Sequence, residues 1–160
     1  MEQLALFPPP YKYIIDTCSL LEQKDGRAYK KTVHKNLWAN IEQLIKDKKI
    51  VVCREIADEI KDEDLQKYLP ELGCEILEAT AETQAKVVEV VNNSQLLNYK
   101  NRGGQSSGDA FLIATAIVHN LIIITEEKKT DTKKIPMVAK QFDVESISIN
   151  ELCEKEGWVF

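Results

Sequence analysis

Short apolar runs alternate with longer amphipathic stretches along this chain. The apolar runs predict five strands, at residues 12–16, 49–53, 74–77, 121–125 and 144–149. Apolar residues at helical spacing predict helices between and after them, at about 31–47, 54–69, 80–97, 109–120, 137–142 and 150–157. Alternating strands and helices are typical of a parallel sheet with helices on both faces. The predicted fold class is therefore α/β, a three-layer α/β/α sandwich with a central, mostly parallel sheet.

Composition narrows the class of protein. A chain of 160 residues with 44% hydrophobic residues predicts one domain, 1–160, whose core spans about 12–150. No apolar run approaches the roughly 20 residues of a membrane helix, and the start MEQLALFPPP lacks the features of a signal peptide. The four cysteines are scattered without a CxxC pair, which favours reduced, mostly buried thiols. We therefore expect a cytoplasmic protein that does not contact the membrane.

Acidic residues stand where the predicted strands end or on the helices that follow. Asp16 follows Tyr-Ile-Ile, Glu59 lies in the helix after VVC, Asp109 begins the helix after SSG, and Glu126 and Glu127 follow LIIIT. Sites of open parallel sheets form outside the carboxyl ends of their strands. A cluster of carboxylates at that edge favours a hard divalent cation, Mg²⁺ or Mn²⁺, because the acids would otherwise repel one another.

Each acid also has a structural explanation when it is taken alone. Asp16 is well placed to cap the following helix, and Asp109 complements the positive end of its own helix. Glu59 lies among several acids that are expected to be solvated, although it stands between Ile56 and Ile60. Only the joint occurrence of the acids favours a metal site, in which the hydroxyls of Thr17, Ser19 and Thr125 would orient ligands or water.

The segments YIIDTCSLL, EIADEI, SSGDAFLIATA and LIIITEE together resemble the PIN domain superfamily of metal-dependent ribonucleases, most closely the VapC-type toxins of toxin–antitoxin modules. The resemblance covers residues from about 12 to about 150. It implies that Asp16, Glu59 and Asp109 are the first three catalytic and metal-binding acids. The fourth acid of the family follows a threonine by two residues, which places Glu127 there; Glu126 is the alternative. A glutamate at this position departs from the family's usual aspartate, which leaves a one-metal or a two-metal mechanism open.

This resemblance also implies a function and its partners. We expect an endoribonuclease that uses Mg²⁺ or Mn²⁺ to cleave RNA phosphodiester bonds, the toxin of a type II toxin–antitoxin module. A cognate antitoxin protein and a homodimer are the expected protein partners. The net charge of −5 is unusual for a protein that binds nucleic acid, so the RNA phosphates must meet local basic residues. The candidates for these contacts are Arg102, Lys128, Lys129, Lys133 and Lys134.

Other classes of protein share the strand-end aspartate. A haloacid-dehalogenase-like phosphatase needs a second acid two residues after the first, and Cys18 stands there instead. A phosphoacceptor receiver needs an acidic pair near the first strand and a late strand-end lysine, which LIIITEEKK does not match. The remaining alternative is a PIN-like module that binds RNA or protein and has weakened catalysis, since the fourth acid is atypical.

Overall fold

A five-stranded parallel sheet organises the molecule. The computed structural model describes residues 9–92, 108–130 and 134–160. Within them the strands lie in the order β3-β2-β1-β4-β5, and every neighbouring pair is parallel. The strands are β1 (Tyr13–Ile15), β2 (Ile50–Cys53), β3 (Glu75–Leu77), β4 (Ile122–Ile124) and β5 (Ser146–Ile147).

Helices connect the strands and cover the sheet. In chain order they are α1 (Thr17–Leu20), a 3₁₀ helix (Leu21–Gln23), α2 (Lys35–Lys46), α3 (Arg54–Asp58), α4 (Glu63–Glu71), α5 (Ala81–Asn92), α6 (Gly108–His119), α7 (Ile135–Gln141) and α8 (Ile149–Glu156). The predicted fold class, α/β with helices around a mostly parallel sheet, is confirmed.

The core explains why β1 lies in the middle of the sheet. All three residues of β1 are fully buried, and Ile14 pairs with Val51 on one side and Ile123 on the other. Strands of continuous β-branched residues suit a sheet that is covered on both faces. The chain therefore leaves β1 at the centre of the carboxyl edge, and Asp16 is the first residue beyond it.

Two predicted helices have different bounds in the structure. The helix predicted from residue 31 begins at Lys35, and Val33, which was expected on its buried face, is 72% exposed. The helix predicted over 54–69 is two helices, because Asp62 is extended and its side chain accepts a hydrogen bond from the Leu65 backbone N–H. Pro70, expected to break the helix, lies in the last turn of α4.

The C-terminal elements follow the prediction with one shortening. The predicted strand 144–149 is reduced to Ser146–Ile147, because Ser148 and Glu151 form a capping box that starts α8 at Ile149. Gly157 ends α8 in the left-handed conformation, as expected for a helix-ending glycine. The predicted caps Ser106 and Ser107 lie outside the described residues.

The expectation of reduced, mostly buried thiols is met in part. All four cysteines are free thiols, but only Cys53 is buried; Cys18, Cys74 and Cys153 are half-buried. No helix among the described residues has both the length and the apolar character needed to cross a membrane.

Candidate functional site

The predicted site residues lie on several elements that follow the strands of the sheet. Asp16 follows β1, and its backbone N–H donates to the Ile124 carbonyl at the end of β4, 2.9 Å away. Helix α3 follows β2 directly and has Glu59 as its C-cap residue, and Glu126 and Glu127 come shortly after β4. Asp16, Glu126 and Glu127 therefore lie just beyond the carboxyl ends of two neighbouring parallel strands.

Asp16 is buried, with 6% of its surface exposed, and its carboxylate accepts three hydrogen bonds. Its Oδ2 accepts from the Thr125 hydroxyl at 3.1 Å and from the Cys18 thiol at 2.9 Å. The Oδ1 atom accepts from the Cys18 backbone N–H at 3.5 Å, which makes Asp16 the N-cap of α1. Capping and site formation are thus compatible at this residue, because different donors hold the carboxylate from two directions.

The Cys18 thiol is a contact that the sequence analysis did not anticipate. Burial, followed by the charge of Asp16 and the hydrogen bond to it, raises the pKa of Cys18 above its ordinary value. The thiol therefore stays protonated and remains a donor to Asp16. The sequence DTCS places the cysteine two residues after the acid, which is the one local sign of this contact. The wide spacing of the four cysteines indicated only ordinary buried thiols.

Glu59 contacts the start of α6, the helix that carries Asp109. The Gly108 backbone N–H donates to Glu59 Oε1 at 2.8 Å, and Asp109 is the next residue along the helix. A Cβ atom on Gly108 would lie 2.7 Å from Glu59 Oε2 and 2.8 Å from Ile56 Cδ1. A side chain at this position would force the Glu59 carboxylate and the buried Ile56 side chain to shift, so Gly108 permits the close approach of α3 to α6.

Glu126 and Glu127 point to different helices. Glu126 Oε2 accepts from the Ile149 backbone N–H at 3.0 Å, and Glu127 Oε1 accepts from the Ile135 backbone N–H at 3.0 Å. Burial raises the pKa of Glu126 above its ordinary value. Only Glu127 connects with Asp16 through Thr125, because its backbone N–H donates to the same Thr125 hydroxyl at 3.2 Å.

The three glutamates share one structural role. Glu59, Glu127 and Glu126 each accept a hydrogen bond from a backbone N–H in the first turn of α6, α7 and α8. Helix N-termini carry unsatisfied N–H groups and favour negative charge. These carboxylates therefore stabilise helix starts in the protein as it stands, whether or not they also bind an ion.

A buried hydroxyl beside Asp16 lacks a partner. Ser19 is fully buried, and its Oγ has no hydrogen-bond partner among the described residues. Ser19 follows Asp16 by three residues in the same helical turn, a spacing at which side chains are neighbours. Carboxylate and hydroxyl oxygens with an unused polar atom suit a hard cation and its water shell. The donor set thus fits Mg²⁺ or Mn²⁺ chemically.

The acids are not assembled into a complete ligand set. Within residues 9–92, 108–130 and 134–160, no group of three Asp, Glu, His or Cys side chains stands close enough together to hold a metal ion. Thr17, at the start of α1, is half-buried. Glu55 is one of the acids around Glu59 for which the sequence predicts solvation. Its Oε1 is instead buried and has no hydrogen-bond partner in the part of the chain that the structure describes.

The predicted phosphate-binding residues are only partly described. Lys128, Lys129 and Lys134 are exposed beyond β4. Lys129 forms an ion pair with Glu151 of α8, with 2.5 Å between Nζ and Oε1. Arg102 and Lys133 lie outside the described residues. Lys128 and Lys134 form no ion pair with another described residue; Lys128 follows Glu127 directly and Lys134 is the N-cap residue of α7.

Solved structures share this fold. The chain is similar to FitAB bound to an IR36 DNA fragment, with 17% identity, a TM-score of 0.53, and coverage of 86% of this chain and 94% of that one. It is similar to VapBC2 from Rickettsia felis bound to a DNA fragment from their promoter, with 14% identity, a TM-score of 0.52, and coverage of 85% and 97%. It is also similar to PAE2754 from Pyrobaculum aerophilum, with 13% identity, a TM-score of 0.53, and coverage of 92% and 90%.

These likenesses define the class as a PIN-like fold, and identities this low show the fold alone. No curated protein matches the chain. The sequence profile of a family described as "Domain of unknown function (DUF4411)" matches residues 13–160, and the chain belongs to that family.

Proposed function

We propose that this protein is a metal-dependent endoribonuclease. The observation that carries the proposal is the environment of Asp16. A buried carboxylate at the centre of the carboxyl edge is held by Thr125 and Cys18, and a buried hydroxyl without a partner stands one turn away. Burying an unpaired polar atom is costly, so its presence beside a carboxylate supports a site that is completed by an ion and water.

Asp16, Glu59, Asp109 and Glu127 would hold Mg²⁺ or Mn²⁺, with Glu126 directed to α8 instead. A bound divalent cation supplies positive charge that stabilises the phosphodiester transition state. Thr125 keeps the Asp16 carboxylate and the Glu127 backbone in a constant relation. Glu59 and Glu127 are bound at helix starts, so they would take part by turning one carboxylate oxygen toward the ion.

RNA is the proposed substrate, and Lys128 and Lys134 are the proposed contacts to its phosphates. Both are exposed beyond β4, on the segment that also carries Glu127. Cations beside an acidic metal site allow a chain with a net charge of −5 to bind a polyanion. Arg102 and Lys133 remain candidates from the sequence.

We further propose that the protein is the toxin of a type II toxin–antitoxin module. The support is the shared fold with the chains of the FitAB and VapBC2 structures, both of which are complexes bound to DNA. A cognate antitoxin is therefore the proposed protein partner. A purification that retains the neighbouring gene product bound to the toxin tests this part separately from ribonuclease activity.

One observation favours a second candidate, a PIN-like module that binds RNA or protein without cleaving it. Glu59, Glu126 and Glu127 already cap helices, and no three-acid group is assembled among the described residues. Under this alternative the acids would be purely structural. RNA binding that persists in EDTA, without cleavage in Mg²⁺ or Mn²⁺, is the result it requires.

Cleavage of a mixed RNA pool tests the proposed reaction. The protein is incubated with Mg²⁺ or with Mn²⁺, and products are resolved by electrophoresis. Cleavage should disappear in EDTA and in Asp16→Asn and Asp109→Asn. Asp143→Asn is the matched control, because Asp143 precedes β5 at the opposite edge and its φ of 59° suits asparagine equally well. Cleavage that survives EDTA or both site substitutions would overturn the proposal.

A further inference from the structure

The two oxygens of the Asp16 carboxylate have different surroundings. Oδ2 accepts from the Thr125 hydroxyl at 3.1 Å and from the Cys18 thiol at 2.9 Å. Among the described residues, the hydrogen bond to Oδ1 comes from the Cys18 backbone N–H, and at 3.5 Å it is long. Each carboxylate oxygen has about two positions at which it accepts. The two side-chain donors therefore fill Oδ2, and Oδ1 keeps an acceptor position to spare.

Both side-chain donors are anchored to the segment that follows β4. The Thr125 hydroxyl accepts from the Glu127 backbone N–H at 3.2 Å. The backbone of Glu126 hydrogen-bonds the Cys18 sulfur. Turning the Asp16 carboxylate away would break both hydrogen bonds to Oδ2 at once. The pair of donors therefore holds Asp16 in one orientation.

The Cys18 side chain serves neither the core nor the helix cap. Among the described cysteines, Cys53 belongs to the hydrophobic core and Cys74 and Cys153 pack against it, but Cys18 does neither. The cap of α1 uses the Cys18 backbone N–H, which any residue except proline supplies. The contact that depends on the thiol is the one with Asp16 Oδ2, so a substitution can remove it and leave the cap in place.

We propose that Cys18 is a positioning residue for the cation site: its thiol holds Asp16 Oδ2, so that Asp16 binds the ion through Oδ1. This inference rests on the proposed function, because it concerns the same ion. Carboxylates that bind metals are themselves held by hydrogen bonds, and removal of such a partner weakens metal binding or activity about 10–100-fold. Cys18 acts through Asp16 and is not itself a ligand.

The affinity for Mn²⁺ tests the role of the thiol. Electron paramagnetic resonance measures the free Mn²⁺ as the protein is titrated. Cys18→Ala should raise the dissociation constant about tenfold, and Cys18→Ser, which restores a donor, should recover most of this loss. Cys18→Val is close to cysteine in shape without a donor, and it should match Cys18→Ala even if the smaller side chain destabilises the fold. Cys74→Ala is the matched control and should bind Mn²⁺ as the wild type does, since Cys74 is also half-buried but precedes β3 at the opposite edge.

Two further measurements separate positioning from a purely structural role. Urea unfolding without metal measures what each substitution costs the fold. Cleavage of RNA by Cys18→Ala should recover at saturating Mn²⁺, because the ion binds more weakly but at the same site. Cleavage that stays low there would overturn the positioning role, since the thiol would then act in the reaction itself.

The Mn²⁺ titration also distinguishes this inference from the proposed function. A wild-type protein that binds Mn²⁺, with Cys18→Ala and Cys18→Val binding it equally well, would overturn the positioning role alone, even if both variants are less stable in urea. A wild-type protein that binds neither Mn²⁺ nor Mg²⁺ would overturn the proposed function together with it.

Discussion

Gly108→Ala is the perturbation that most directly tests how α3 and α6 position the site. An alanine Cβ would stand 2.7 Å from Glu59 Oε2 and 2.8 Å from Ile56 Cδ1, both closer than real contacts allow. The Glu59 carboxylate is the end of a flexible side chain and is expected to move, which breaks its 2.8 Å hydrogen bond from Gly108. Ile56 is 2% exposed and has less freedom to move.

The size of the effect follows from three contributions. Loss of the hydrogen bond to an exposed carboxylate costs about 1 kcal/mol, and displacing a packed isoleucine costs about 1–3 kcal/mol. Replacing glycine with alanine in the unfolded chain contributes about 0.4–1 kcal/mol in the opposite direction. The free energy of unfolding should therefore fall by about 1–3 kcal/mol, whereas a glycine in open helical surroundings would give a gain.

Urea unfolding followed by tryptophan fluorescence measures this change, with Glu59→Ala and the double variant completing a mutant cycle. If the Glu59 carboxylate is one of the two groups that clash with the alanine Cβ, Gly108→Ala should cost about 1 kcal/mol less in the Glu59→Ala background. A Gly108→Ala variant that is as stable as the wild type would refute the close-approach argument. Strict additivity in the cycle would show that Glu59 takes no part in the steric clash and that Ile56 alone accounts for the loss of stability.

Three further changes have defined outcomes. Thr125→Val should lower the free energy of unfolding by about 1–2 kcal/mol, because it leaves the buried Asp16 carboxylate with one donor fewer. Thr125→Ser keeps a hydroxyl and should retain most of the wild-type stability. Equal urea midpoints for the two variants would contradict this prediction. Ser148→Ala should lower the free energy of unfolding by about 1 kcal/mol, because it removes the side-chain cap of α8. The thermal midpoint measures the change, and Ser148→Asp is the control because it keeps an acceptor. Because burial raises the pKa of Glu126 in the folded protein, its contribution to stability is present below its unfolded-state pKa and is lost as pH rises through the folded-state value. Glu126→Gln keeps an acceptor for Ile149 and should flatten the thermal midpoint over that pH window; an unchanged pH profile would show that Glu126 is not the titrating group.

The direction of each acidic side chain illustrates the limit of sequence reasoning. The sequence placed Glu126 and Glu127 together after β4 and left open which one meets the site. Only the structure separates them, since one contacts α8 and the other contacts α7 and Thr125. Their partners lie 23 and 8 residues further along the chain, and no local pattern encodes the packing that brings them close.

The helix boundaries show a second limit. A continuous apolar periodicity predicted one helix over 54–69, but Asp62 interrupts it by capping α4. Val33 fitted a helical face by spacing alone and is instead exposed before α2 begins. Periodicity reports which residues fall on one side of a regular helix, but it does not show whether the backbone stays helical between them.

By itself the sequence determined the α/β class, the buried strands and the position of Asp16 at a strand end. Runs such as Tyr-Ile-Ile and Ile-Ile-Ile are too apolar for a strand that faces water, so burial on both faces follows from local composition. The tertiary structure alone decided which groups meet. The Thr125 hydroxyl and Asp16 are 109 residues apart, and Glu59 and Gly108 are 49 apart. Such contacts depend on how distant elements pack, and this packing brings the Thr125 hydroxyl to the strand-end aspartate.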